Sequence, residues 1–238
     1  MTMPRDDYLD VIRSNGEALI AAAERAPSAH VRCCPEWAMP DLLWHIAEVD
    51  LFWASIASGA AVDPSEYEEP PRPADTELPA FAREQLENLL RVLRATDPSK
   101  EVFSWAPQKD VAFIYRRMAH ETIIHRWDAE DAAGTTPEID AELASDGVDE
   151  FLSFFLRPTD VEPGSVHLHA TDTPGEWVVR FGDGAPQLSR EHAKGDAALR
   201  GDAADLILAL WERVPLSKLE VIGDATAVDR LMAVAGRG

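Results

Sequence analysis

Up to about residue 156 the apolar positions recur every three or four residues, and after residue 163 they alternate. The first pattern predicts helices and the second predicts strands, because side chains share a face every 3.6 residues on a helix and every second residue on a strand. Tyr8, Val11, Ile12, Leu19, Ile20 and Ala23 predict a first helix over 8–25, closed by Pro27. A second, over about 40–58, carries Leu42, His45, Ile46, Val49, Phe52, Trp53 and Ile56 on its inner stripe. Pro40 suits its first turn, where a missing N–H costs nothing, and Gly59 ends it. A third, over about 79–96, buries Phe81, Leu86, Leu89, Leu90 and Leu93. The fourth, over 111–133, lies in a stretch with neither Pro nor Gly, and a fifth over 143–156 is stopped by Pro158. Between the second and third, residues 63–79 hold five prolines and six acids, which reads as a long exposed loop.

The alternating part predicts a hairpin: strands at 166–170 and 176–181 joined by the turn sequence Asp172-Thr173-Pro174-Gly175. Further strands are expected at 187–189, 197–200 and 219–222, with helices over 203–213 and 225–235, the former N-capped by Asp202. The fold class expected is therefore α followed by α+β: an antiparallel four-helix bundle in a first domain of residues 1–157, which includes the fifth helix as a bridge, and a smaller α+β domain over 158–238.

Charge narrows the range of partners. The 238-residue chain carries a net charge of −21 with its acids interleaved among apolar positions, so it is a folded protein with an acidic surface. Such a surface repels phosphate backbones and anionic membranes, and neither nucleic acid nor membrane is an expected partner. The two cysteines, Cys33 and Cys34, are adjacent and unsuited to a disulfide with each other, so a reduced cytoplasmic setting is expected. The first residues carry acids where a signal peptide needs bases, and no run approaches the roughly 18 apolar residues of a membrane span.

The candidate chemistry lies in Ala119-His120-Glu121-Thr122-Ile123-Ile124-His125-Arg126-Trp127-Asp128-Ala129-Glu130. It looks like a zinc-protease motif with its second histidine one residue late. At about 100° per residue, His120 and His125 point about 140° apart, whereas Glu121 and His125 stack on one face. His45, on the inner stripe of the second helix, supplies a third donor. Two imidazoles and a carboxylate suit Zn²⁺ with a fourth position open, and Ni²⁺ or Fe²⁺ could occupy the same set. Asp128, three residues beyond His125, is placed either to orient that imidazole or to make a surface ion pair. Spacing alone leaves a second account open, in which His45 is a hydrogen-bonded core histidine and Glu121 and His125 belong to a solvated face. His167 and His169 share one face of a strand, but with no third ligand evident they read as surface or domain-interface residues.

Pro35-Glu36-Trp37 with Asp41-Leu42-Leu43-Trp44-His45 resembles the first signature of the mycothiol-dependent maleylpyruvate isomerase family, and Ala119 to Glu130 resembles its second. Leu168-His169-Ala170-Thr171-Asp172, Glu176-Trp177, and Gly201 to Leu206 with Leu210-Trp211-Glu212-Arg213 are similar to that family's appended domain. Glu36 stands where the family usually has Gly, and Ala38-Met39-Pro40 replaces a usual Thr cap; both departures concern the start of the helix, not the ligands. The resemblance implies a DinB-like metal-binding bundle followed by a sterol-carrier-like domain, with His45, Glu121 and His125 as metal ligands and mycothiol as thiol cosubstrate.

The leading expectation is thus an enzyme in which a divalent metal, Zn²⁺ first, holds the sulfur of a low-molecular-weight thiol as thiolate for attack on a small electrophile, by addition in an isomerisation or by displacement in a transfer. Arg213 is the candidate for binding an anionic group of thiol or substrate; its plainer role is a cation at a helix C-terminus. Two other functions fit the same residues: a non-enzymatic protein holding a small apolar ligand in its second domain, and a metal-dependent hydrolase assisted by Glu121 or Asp128.

Overall fold

Pro4 precedes a helix with two acids, Asp6 and Asp7, in its first turn and a base, Arg25, in its last, charges that suit the backbone dipole of α1 (Arg5–Arg25). The computed structural model describes residues 3–135, 137–158, 160–182 and 184–236. They form two compact units, dividing between Pro137 and Glu138.

The first unit holds α1, α2 (Met39–Ser58), α3 (Leu78–Ala95) and α4 (Val111–Ala132). Each helix packs on two neighbours in the ring order α1, α4, α2, α3. Tyr8, Ile12, Leu19, Leu42, Leu89, Leu90, Leu93, Phe113 and Tyr115 fill the middle. Burying each large apolar side chain contributes about 1.5–3 kcal/mol. The Pro-rich stretch makes the crossover between α2 and α3, with a single 3₁₀ turn at Pro64–Glu66.

One face was misjudged by the periodicity. In α2 the buried positions are Met39, Leu42, Leu43, Ile46, Ala47, Asp50, Trp53, Ala54, Ile56 and Ala57. The stripe is rotated from the expected one, and His45, Val49 and Phe52 lie at its margin. Small residues carry that face, and they contribute little to a hydrophobic period.

The second unit, residues 138–236 as described, contains α5 (Ala141–Phe154), so this helix folds with the strands, some twenty residues ahead of the boundary expected at 157/158. Its residues Phe151 and Phe155 pack around Trp211 beside α6 (Ala203–Leu210). The sheet has the order β3-β2-β1-β4-β5, from β1 (Gly164–Ala170), β2 (Glu176–Phe181), β3 (Gln187–Ser189), β4 (Ala197–Gly201) and β5 (Glu220–Gly223). β1 and β4 are parallel, while the other pairs are antiparallel. Val166, Leu168, Val179 and Leu199 are buried, and α6 and α7 (Ala225–Val234) pack on these strands.

α6 ends three residues before the expected position. Glu212 adopts φ 58°, Glu212 N–H donates to Ala209 O at 3.0 Å and Arg213 N–H donates to Leu208 O at 2.8 Å, which closes the helix in a Schellman motif. At its other end the Asp202 carboxylate accepts from Thr171 Oγ1, and Asp172 takes the Ala203 N–H at 2.9 Å. The cap expected of Asp202 is thus supplied by its neighbour across the strand end. Among the described residues no helix is long and apolar enough to cross a membrane.

Candidate metal centre

α4 is the element on which the site is built. Asp110 starts it by accepting the Phe113 N–H at 3.1 Å. From there the helix is buried on nearly every side, which leaves few places for a polar side chain to reach water. Glu121 and His125, one turn apart, lie 3.2 Å from each other between Oε1 and Nε2. His45 reaches the same carboxylate oxygen from α2, with Nε2 at 3.3 Å. One donor atom from each of His45, Glu121 and His125 falls within 4.8 Å of the others. The two imidazoles meet edge to face with centroids 4.8 Å apart.

The surroundings fix the direction of each donor. Asp128 Oδ2 lies 3.0 Å from His125 Nδ1, so the ring presents Nε2 to Glu121. Arg117 Nη2 donates to Glu121 Oε2 at 2.9 Å and leaves Oε1 to face the histidines. Cys33 Sγ donates to the other oxygen of Asp128 at 3.0 Å. Cys33 therefore acts on the site through Asp128, and its thiol is 4.0 Å from that of Cys34. Trp37 lies beside His45, with ring centroids 5.0 Å apart. Its loop is closed at the base by the His30–Ala38 bridge and by Val31 N–H donating to Trp37 O at 3.0 Å.

Accessibility grades across the triad: the side chains of His45, Glu121 and His125 are 31%, 20% and 10% exposed. His45 is therefore neither a sealed core residue nor a fully solvated one. Burial disfavours charge on Glu121, but the charge and hydrogen bond of His125, then His45 and Arg117, outweigh it and hold the carboxyl well below its usual range. Burial likewise works against His125⁺, but Glu121 and Asp128 push its pKa up to about 9. Asp50, buried five residues beyond His45 on α2, is displaced upward by burial and by the negative charge of Glu121, and its Oδ1 has no hydrogen-bond partner.

The donor set fits a borderline divalent ion: two imidazoles and a carboxylate converge, and each ring or carboxylate is oriented by a further polar group. His120 is buried and stands outside this cluster. Arg213 lies in the second unit, where Nη1 donates to Trp211 O at 2.9 Å and the guanidinium sits 6.0 Å from the Trp211 ring centroid. Arg117 is not singled out as a site residue by the sequence, and Trp37 enters there only as part of the first family signature. Arg117 is four residues ahead of Glu121 on one helical face, a spacing that could have identified it; Trp37 arrives through a loop, whose path no periodicity reveals.

Fold and site together define a class: a four-helix unit bearing a His/Glu/His cluster, continued by an α+β unit. Residues 9–130 match the family model described as the mycothiol maleylpyruvate isomerase N-terminal domain, and residues 142–230 match the corresponding C-terminal domain. The chain belongs to the mycothiol-dependent maleylpyruvate isomerase family. Crystal structures of the mycothiol-dependent maleylpyruvate isomerase and of a mutant of it are similar in fold, each with a TM-score of 0.65 and 14% identity over 95% of this chain and 96% of that one. The search of curated proteins gives no match.

Proposed function

We propose that this protein is a metal-dependent, thiol-using enzyme of the mycothiol-dependent isomerase or S-transferase type, acting on a small electrophile. The observation that carries the proposal is the convergence of His45, Glu121 and His125 on one point, in a chain whose two halves match this family's two domains. A divalent ion, Zn²⁺ first and Ni²⁺ or Fe²⁺ by the same donors, would there stabilise a thiolate at neutral pH.

The remaining work falls to side chains. Asp128 and Arg117 keep His125 and Glu121 aimed, so little reorganisation is needed when a ligand arrives. Trp37 offers an apolar wall next to His45. Arg213 is proposed to bind an anionic group of thiol or substrate, a role that its planar donor fork suits. The thiol reading is favoured over hydrolysis because Asp128 is fully buried and already held by His125 and Cys33, which suits it to orienting a ring more than to activating water.

The test is turnover of an electrophile panel that includes maleylpyruvate, with and without mycothiol. Thiol-dependent turnover is expected, with the thiol returned if the reaction is an isomerisation and consumed if it is a transfer. Equal turnover without thiol would contradict the proposal. Arg213→Ala is expected to raise KM for the anionic partner more than it lowers kcat, about tenfold for loss of one charge-assisted hydrogen bond of roughly 1.5 kcal/mol.

A further inference from the structure

The second unit contains a cluster that the bundle chemistry does not use. His167 and His169 stand two residues apart on β1 and share a face of the sheet. The hairpin register places Glu176 directly opposite His169 and diagonally from His167, where side chains on adjacent strands meet. Glu176 Oε1 lies 2.6 Å from His169 Nδ1, and Oε2 is hydrogen-bonded to His167 Nε2. A third imidazole comes from the loop after β3: His192 Nδ1 lies 2.9 Å from the same Oε1. The sequence reading gave the two strand histidines no third ligand; the cross-strand register supplies one and the loop another.

The loop is built to bring His192 there. Asp196 N–H donates to Ser165 O at 3.0 Å, and Asp196 Oδ2 accepts the Ser165 N–H at 2.8 Å, clamping the loop's end to the start of β1. Gly195 permits that approach, since a Cβ there would stand 2.9 Å from His167 N and 2.7 Å from Ala197 O. A cavity of about 290 Å³ opens beside the cluster, lined by His167, His192, Gly195 and Asp196 among others, and gives an ion a way in.

We propose that His167, His169, His192 and Glu176 form a second divalent-metal site, of the Zn²⁺ class, separate from the triad on the helices. One donor atom from each of the four lies within 4.8 Å of the others. Three imidazoles and one carboxylate are a borderline donor set, matched to Zn²⁺ and its neighbours and not to Ca²⁺ or Mg²⁺, which take oxygen. Four protein ligands suit a closed structural site, and its occupation would tie the 190–196 loop to the β1–β2 hairpin.

The experiment is Zn²⁺ binding to the untagged chain, by equilibrium dialysis with a chelator competitor, repeated on His125→Ala and on that variant carrying His192→Ala or Glu176→Gln in addition. The His192 side chain is 78% exposed, so its removal leaves the packing of the unit untouched. Binding of one ion that persists in His125→Ala, and that weakens at least about tenfold when His192→Ala or Glu176→Gln is added to that variant, is expected, since even groups behind the ligands are worth 10–100-fold in affinity. Co²⁺ loaded into His125→Ala should give d–d absorption that His192→Ala abolishes. Zn²⁺ binding that vanishes in His125→Ala, or that remains there and is unaffected by adding His192→Ala or Glu176→Gln, overturns the second site and leaves the triad standing.

Discussion

At the residue scale the triad turns on His125, which is held between two carboxylates. Its pKa of about 9 is above the ordinary 6.5, so in the metal-free protein the His125⁺ ion pairs stabilise the fold fully below pH 6.5, and that contribution is lost as pH rises through about 9. A metal needs the neutral ring, so Zn²⁺ affinity at the triad should rise with pH up to about 9, with about one proton released per ion at pH 7. Calorimetry of His192→Ala protein in buffers of different ionisation enthalpy reads that proton directly; affinity independent of pH over 6–9 would contradict the arrangement. Asp128→Asn removes the charge behind His125 Nδ1 and should lower Zn²⁺ affinity about 10–100-fold while the protein stays folded.

At the element scale α4 was the most legible part of the chain and α2 the least. The run without Pro or Gly fixed α4, and the i,i+4 spacing put Glu121 and His125 on one face, as the 3.2 Å contact between them bears out. In α2 apolar residues occur on more than one side, so the period alone could not select the buried face; Ala47, Ala54 and Ala57 form part of it with little hydrophobic signal. The hairpin was legible from alternation and its turn, whereas the parallel pairing of β1 with β4 and the landing of His192 beside Glu176 depend on contacts distant in sequence. Asp202 read as a cap because of its type, yet Asp172, brought near by the sheet, takes the Ala203 N–H. Asp110 caps α4 from within its own turn, and Asp110→Ala should destabilise the chain by about 1 kcal/mol, measured by urea unfolding. Phe113→Ala, which empties a fully buried position on the same helix, should cost about 3–5 kcal/mol.

For the whole molecule the dominant quantity is charge: 43 acidic residues face 22 basic ones. Self-repulsion of that size favours expanded states, and added salt screens it with a Debye length of about 10 Å at 0.1 M. Tm should therefore rise between about 10 and 150 mM NaCl, and a falling Tm would mean that the surface ion pairs outweigh the net repulsion. The same acidity raises the local concentration of divalent cations near both His/Glu clusters, which lie in different compact units. A His/Glu/His triad presented by α2 and α4 is the feature on which the enzyme reading rests, and the metal content of the triad is its most direct test. Untagged His192→Ala protein, which isolates the triad from the second cluster, should bind about one Zn²⁺ per chain, lose it on further replacement of Glu121 or His125 by Ala, and keep it on replacement of His120. Protein that folds and binds no metal, or that loses it with His120 and retains it without His125, would contradict the account.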